Sequence, residues 1–408
     1  MKKIALVVQR YGLEVNGGAE YLCRVLAEKL NSLYEVEILT SCAKNYFTWA
    51  NEYPESVTTI NGVTVRRFST SQERNKSKVH RLVRKLQSRT FSQRILKTLG
   101  LQDHTDFEQT SYDWSKQQGP FTPGLISYLE TSYHEYDAVI FFTYLYFPTL
   151  YGLKAAADRS ILIPTAHDEE AIYLPVYKSF FKSPKAILYL TLSEKRLVNR
   201  LFSNADIYSD IVGAGIEKVI PEHKFTAAEI LKSDQPYLIY IGRIDPDKGG
   251  EILFQNFLKY KEATKNAIKL VLVGTAFMDI PKHEDIISMG FVDDDVKYAL
   301  LQEAKALVMP SLYESLSLVT LEGMLAGVPV IANKDCEVLK DHIENSQAGF
   351  TFNDFESFKF AVDKILSKGM DLHTLQYNGR KYIAENYSWE AVISKMTKAI
   401  DFVSEKNS

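Results

Sequence analysis

The stretch Tyr313–Ala332 reads YESLSLVTLEGMLAGVPVIA, and its reading decides how the chain is built. It predicts a loop, a short helix over Thr320–Ala326 and a buried strand over Pro329–Ala332. Two acids punctuate it, Glu314 and Glu322. On one helix they would lie about 12 Å apart along the axis. That is too far to attack and protonate a single bond, which takes roughly 5–9 Å between carboxylates. They suit instead the two ends of one extended ligand. The small and apolar Ser315–Val319, just ahead of the helix, can offer backbone N–H groups to a phosphate or a sugar. Gly323 and Gly327 allow close packing. The plainer alternative is a surface acid followed by a helix-start acid favoured by the dipole.

Working outward, short apolar strands alternate with helices on both sides of this stretch. Tyr237–Ile241, Lys269–Val273 and Ala306–Met309 precede it as strands, with helices around Glu251–Lys261 and Asp295–Glu303. Towards the N-terminus, Lys3–Gln9 and Tyr34–Thr40 read as strands flanking a helix over Ala19–Leu30. Val57–Ile60 and Val63–Phe68 form a hairpin about Asn61-Gly62. Asp137–Phe142, Ser160–Thr165, Ile187–Thr191 and Ile207–Val212 continue the buried strands. Such alternation predicts parallel sheets with right-handed crossovers. The 408 residues exceed what one core serves, so two α/β halves are expected, with a linker over Glu217–Pro236 and a cleft at the carboxyl ends of the strands.

Composition removes several classes. Forty-eight Lys+Arg against 51 Asp+Glu leave a net charge of -3, unlike a dedicated nucleic-acid binder. The three cysteines, Cys23, Cys42 and Cys336, are too scattered for a disulfide framework or zinc and read as buried hydrophobes of a reducing compartment. The apolar run Ile4–Val8 stops at Gln9-Arg10, too short for a signal peptide, and Ala138–Leu153 is broken by Pro148 and Gly152, too short to span a bilayer. A cytoplasmic chain is expected. One segment departs from the rest: between Glu73 and Asp103 stand nine Lys/Arg and no acid. Val79, Leu82, Val83 and Leu86 sit at helical spacing there, with Phe91, Ile95 and Leu99 beyond. A basic amphipathic helix over Arg74–Lys97 either lies on an anionic membrane, so that the chain is peripheral on the inner face of the cell membrane, or packs its apolar face on its own domain.

With these motifs in view, the chain resembles retaining glycosyltransferases of family 4, enzymes of the GT-B fold that use nucleotide sugars. The two acids followed by GMLAGVPVIA are that family's signature. The resemblance implies that Glu322 grips the nucleotide ribose, that Glu314 lies by the donor sugar, and that Ser315, Leu316, Ser317 and Leu318 contact sugar and diphosphate. Ile241–Gly249, IGRIDPDKG, looks like the family's strand-end motif, with Gly242 in the turn and Arg243 and Lys248 clamping the diphosphate. Fixed cations stabilise a leaving diphosphate most as its charge develops. Asp245-Pro246-Asp247 imitates a metal-binding D-x-D. It is rejected as one because two cations flank it and no further ligand cluster accompanies it; neither metal nor cofactor is expected. Asp293–Asp295 reads as a loop and helix N-cap.

The first half carries the matching acceptor-side features. Gly17-Gly18 in VNGGAE lets backbone approach a phosphate or acceptor. PTAHDEE, Pro164–Glu170, follows a strand; the resemblance places His167 beside the donor sugar and Asp168 near the acceptor, whereas a lone His at a strand end is otherwise a structural residue. In VGAGIE, Val212–Glu217, Ala214 replaces the family's Asn, and Gly215 is expected to need φ > 0. Trp389 is expected to anchor a C-terminal helix that crosses back to the first domain. The expected domains are 1–216, with an insertion at about 70–128, then 217–386, then the helix 387–408.

The expected activity is therefore a retaining, metal-independent transfer of a sugar from a nucleoside diphosphate sugar to a hydroxyl of a glycan or lipid-linked acceptor, in cell-surface polysaccharide assembly. No nucleic acid is expected as partner. Two other classes share the scaffold: a non-hydrolysing sugar-nucleotide epimerase, which the spacing of the two acids fits less well, and a non-catalytic glycan or lipid-head-group binder, whose degenerate donor clamp is not seen here.

Overall fold

The computed structural model describes residues 1–15, 17–98, 107–217, 226–367, 369 and 371–405, with the side chains of 88–98 left aside. By its internal contacts the chain forms two compact units, Met1–Val212 with Ile393–Ser408, and Gly213–Val392. The linker expected at 217–236 lies within the second unit. Its residues 218–225 fall outside the described ones, and Ala227–Leu231 is a short helix closed by a Thr226/Glu229 capping box.

The first unit holds eight strands: β1 Lys3–Val7, β2 Glu35–Ser41, β3 Val57–Ile60, β4 Val63–Phe68, β5 Ala138–Phe142, β6 Ser160–Ile163, β7 Ala186–Tyr189 and β8 Tyr208–Ile211. Their order is β3-β4-β2-β1-β5-β6-β7-β8. All neighbours are parallel except β3 and β4, which turn at Asn61 (φ 49°) and Gly62 (φ 82°), as a two-residue hairpin requires. The central strands are apolar on both faces because helices cover both sides: Ala5, Val7, Val139, Phe141 and Leu162 are among the residues fully removed from solvent. Strand order reverses between β1 and β5, which opens a crevice at their carboxyl ends.

The insertion joins this core. Helices Lys76–Thr98, Phe107–Gln118 and Pro123–Ser132 contribute Val79, Val83, Leu86, Trp114, Leu125 and Leu129 to it. Val79, Val83 and Leu86 are therefore committed, each burial contributing roughly 1.5–3 kcal/mol. A basic side chain near an anionic membrane contributes only about 1 kcal/mol. For this part of the helix the second of the two readings holds: its apolar face packs on its own domain. The side chains of Phe91, Ile95 and Leu99 lie outside the described residues.

The second unit is all parallel: β9 Tyr237–Ile241, β10 Lys269–Val273, β11 Ile286–Gly290, β12 Ala306–Met309, β13 Val330–Asn333 and β14 Gly349–Phe352, in the order β11-β10-β9-β12-β13-β14. Its order reverses between β9 and β12. Leu238, Tyr240, Phe257, Leu270, Val308 and Ile331 are among its core residues. The last helix, Trp389–Glu405, returns to the first unit from Ile393 onward. There Phe402 stacks on Tyr208 (centroids 4.3 Å) and Lys395 donates to the Ile211 carbonyl (2.6 Å).

Gly215 departs from expectation. It is absent from the positive-φ glycines, whereas Gly213 has φ 66°. Gly215 is small for another reason: a Cβ there would stand 2.1 Å from the Trp389 indole. The anchoring role of Trp389 is thus expressed against Gly215, within the second unit.

Candidate active site

The second unit's reversal point brings together the two motifs expected to bind the donor. The loop after β9 carries Gly242, Arg243 and Lys248; the loop after β12 carries Glu314 to Ser317. Backbone packs on backbone here. Gly242 has φ 151° and donates its N–H to Val273 (2.9 Å). A Cβ on Gly274 would overlap the Gly242 carbonyl oxygen at 1.9 Å. Gly249, at φ 76°, lies so close to the Pro310 carbonyl that a Cβ would meet it at 2.2 Å, which fixes the β9 loop against the end of β12.

On that frame stands an ion network. The Lys248 ammonium meets Glu314 Oε1 at 2.7 Å, with side-chain exposures of 29% and 12%. Arg243 Nη2 lies 3.3 Å from Asp245 Oδ2. Asp245 Oδ1 accepts the Lys248 backbone N–H (2.8 Å). Asp245 thus holds the turn, pairing with the Arg243 guanidinium and accepting the backbone N–H of Lys248. Arg243, Asp245, Lys248 and Glu314 form one array.

The following loop is built to expose backbone. The helix is Leu318–Ala326, starting two residues earlier than expected. Glu314 therefore precedes it, and the two acids do not share a helix. Ser317 caps it in the left-handed region (φ 62°), its hydroxyl hydrogen-bonded to Thr320 at 2.8 Å. The Thr320 N–H turns back to the Ser317 carbonyl (3.0 Å), and the N–H groups ahead of it stand at a helix N-terminus, where the dipole favours an anion. Leu316 is buried and its carbonyl receives His342 Nε2 at 2.7 Å.

Glu322 sits one turn into this helix. Burial pushes its carboxyl above the usual carboxylate range, opposed by Lys297, whose ammonium lies 3.5 Å away. Lys297 also pairs with Asp294 at 2.9 Å. The contacts thus join Glu322 to Lys297 and not to the Lys248–Glu314 array. The helix bearing Lys297 is Asp294–Glu303, so Asp294 and Asp295 lie in its first turn and Asp293 is the cap, without a side-chain capping bond. Sequence reasoning missed Lys297 because an i,i+3 pair with Asp294 looks like ordinary surface charge.

In the first unit, Arg10 follows β1 and pairs with Glu20 of the helix Gly18–Leu30, with Nη2 to Oε1 at 2.6 Å and exposures of 7% and 8%. Arg10 Nη1 also donates to the Lys44 carbonyl (2.6 Å). Gly17 is small because of this pair: a Cβ would lie 2.1 Å from Glu20 Oε2. Gly18 has open space around it, with nothing within 4 Å of a built Cβ. The two glycines therefore differ in surroundings: a side chain at Gly17 would displace Glu20, whereas Gly18 has open space beside it.

After β6, the loop of His167 is held from several sides. Thr165 (φ 51°) and Thr143 (φ 65°) both take left-handed backbone. Buried Glu194 accepts the N–H groups of Ala166 (2.5 Å) and Leu190 (2.6 Å). Burial drives its carboxyl up to about 8 against those bonds. His167 Nε2 lies 3.5 Å from Glu169 Oε2, and Glu169 Oε1 accepts the buried Tyr144 hydroxyl at 2.6 Å. Asp168 instead accepts the Tyr173 hydroxyl (2.6 Å) and faces Arg200 at 3.9 Å in an exposed pair. Glu169 is thus the carboxylate nearest the His167 ring, while Asp168 turns to Tyr173 and Arg200.

Two parallel-sheet units, each reversing strand order under its motif loops, with a C-terminal helix returning to the first, are the GT-B fold. The family model described as glycosyl transferases group 1 matches residues 222–382, less than half of the chain and inside the second unit. Among curated proteins, an uncharacterized glycosyltransferase of Methanocaldococcus jannaschii is 26% identical over 245 residues, 55% of this chain and 62% of its own length. The capsular polysaccharide biosynthesis glycosyltransferase CapM of Staphylococcus aureus is 24% identical over 180 residues, 40% of this chain and 46% of its own. Both matches span less than two thirds of those relatives. Among solved structures, HepE of Anabaena in complex with UDP-glucose superposes with a TM-score of 0.66 at 13% identity, covering 98% of this chain and all of that one. No described helix is long and apolar enough to cross a membrane.

Proposed function

We propose that this chain is a retaining glycosyltransferase that moves a sugar from a nucleoside diphosphate sugar to a hydroxyl of a glycan or lipid-linked acceptor in polysaccharide assembly. The observation that carries the reading is the Lys248–Glu314 pair beside Arg243, standing at a strand-order reversal in front of a helix N-terminus. A breaking glycosidic bond leaves its electron pair on the diphosphate. Arg243, Lys248 and the N–H groups at Ser315–Leu318 receive that charge in fixed positions, where it is stabilised most in the transition state. These cations supply what a metal would, and the transfer is read as metal-independent. Glu322 takes the ribose hydroxyls as acceptor of their hydrogen bonds. Glu314 holds Lys248 in place and lies by the donor sugar.

The acceptor is placed on the first unit, near Gly18, His167 and Asp168. Retention is assigned to attack on the face from which the diphosphate leaves, the departing phosphate oxygen taking the acceptor's proton. The similarity to a glycosyltransferase of capsular polysaccharide biosynthesis supports the polymer setting, and HepE with UDP-glucose supports a nucleotide-sugar donor.

Slow hydrolysis of the sugar nucleotide, followed by proton NMR before the anomers equilibrate, tests this without knowing the acceptor. From an α-linked donor the α anomer is expected first. The β anomer first would overturn retention, and interconversion to an epimeric sugar nucleotide would overturn transfer itself.

A further inference from the structure

His342 is buried on the helix Glu337–Ser346, outside every motif discussed, yet it touches the donor loop. Its Nε2 lies 2.7 Å from the Leu316 carbonyl oxygen. A carbonyl only accepts, so Nε2 carries the proton. Nδ1, at 3.1 Å from the Tyr382 hydroxyl, must then accept. With that proton spent on His342, Tyr382 accepts in turn from the Tyr387 hydroxyl at 3.3 Å. Donors and acceptors are fixed along the whole chain: Tyr387 to Tyr382 to His342 to Leu316. Burial lowers the imidazole to about 4, so the ring is neutral through the physiological range, as this order requires.

The far end of the relay lies where the chain enters and leaves the second unit. Tyr387 accepts the Ile216 N–H at its carbonyl (2.9 Å), and its ring packs under Gly213, whose Cβ would stand 3.3 Å from it. The near end bears on a loop that needs support. Ser317 holds a left-handed conformation that non-glycine residues rarely adopt, and Glu314, three residues ahead of it, pairs with Lys248 across the site.

The geometry points to His342 as a positioning residue for the donor site: its Nε2–H fixes the Leu316 carbonyl, and so the aim of the Ser315–Leu318 backbone N–H groups at a nucleoside diphosphate, from a relay rooted beside the crossing segments. This rests on the donor-site reading above and deepens it. His342 itself touches no ligand.

Three variants of the whole chain test it. His342→Ala removes the relay, Tyr382→Phe removes one hydroxyl, and His342→Gln restores a donor and an acceptor at nearly the same places. Calorimetry with UDP, GDP, dTDP and ADP, well below each variant's melting temperature, is expected to show His342→Ala binding about tenfold more weakly than the unmodified chain. Tyr382→Phe should be weakened less and His342→Gln should recover most of the affinity. Amide exchange of residues 315–321, measured without ligand, should rise in His342→Ala and not in His342→Gln. NMR should find the His342 ring protonated on Nε2. Folded His342→Ala that binds as tightly as the unmodified chain, or an Nδ1-protonated ring, overturns the inference. If the unmodified chain binds none of the four, the donor-site reading has failed instead, and the exchange of residues 315–321 alone decides whether His342 holds the loop.

Discussion

Lys248 and Glu314 are 66 positions apart in the chain, and their side chains meet at 2.7 Å. They do so because β9 and β12 are neighbours across the reversal of the second sheet. The pair therefore ties the loop after β12 to the loop after β9 and, in the proposed donor site, holds a cation where a diphosphate would arrive. Removing a fixed charge of this kind costs roughly 10²–10³ in kcat. Lys248→Ala is expected to lose that much in sugar release measured by initial rates. Glu314→Gln, which frees Lys248 while keeping its charge, should lose less. Equal rates in Lys248→Ala and the unmodified chain would contradict the clamp.

Glu322 links affinity to pH. Its folded pKa is raised by burial, and in the proposed role it accepts the ribose hydroxyls best when ionised. Nucleotide affinity should therefore fall as acid protonates Glu322, beginning above the pH at which an ordinary carboxylate titrates. Lys297 opposes the shift, so Lys297→Ala should move the acid limb to higher pH. Glu322→Gln should show no such limb in calorimetric titrations across pH.

Gly17 and Gly18 separate by design of the fold. Gly17→Ala pushes a Cβ into the Glu20 carboxylate and disturbs a buried ion pair; a loss of about 1–3 kcal/mol in denaturant unfolding is expected. Gly18→Ala meets nothing within 4 Å and should change stability by no more than about 0.5 kcal/mol. Its effect should appear in transfer to the acceptor alone.

Gly215→Ala should destabilise the chain by about 1–3 kcal/mol as well, because the Trp389 ring occupies the space of the added methyl. Gly215→Ala combined with Trp389→Leu should be less than additive in thermal unfolding, since the clash disappears with the indole.

Glu194 makes stability depend on pH in the opposite sense to most carboxylates. Its folded pKa of about 8 exceeds the ordinary 4.5, so the folded state binds more protons between those values and stability falls as pH rises. Full stabilisation is present below about pH 4.5 and is lost through pH 8. The unmodified chain should lose more stability than Glu194→Gln between pH 5 and pH 8 in urea unfolding. Parallel curves for the two would show that Glu194 keeps an ordinary pKa.

The readable parts of this chain were those where composition and conformation agree. The apolar central strands, the Asn61-Gly62 turn and the glycine-bearing motif loops announce themselves, since each demands a residue type. The edge strands β11 and β14 did not, because an edge strand is half exposed and Ile286–Gly290 and Gly349–Phe352 carry no continuous apolar run. Gly215 shows how a glycine conserves space instead of dihedral freedom, a distinction that needs Trp389 in place to be seen. Glu194 and His342 were hidden for one shared reason: each acts from a helix on the backbone of a distant loop, and a lone acid or histidine on a helix has no local signature of its partner.

Calorimetric titration of the unmodified chain and Glu322→Ala with UDP, GDP, dTDP and ADP, in buffer without divalent metal, tests the central claim most directly. One diphosphate is expected to bind at micromolar level and to weaken at least tenfold in the variant. Failure of all four to bind, with or without magnesium, would contradict the donor site and with it the assignment as a nucleotide-sugar-dependent transferase.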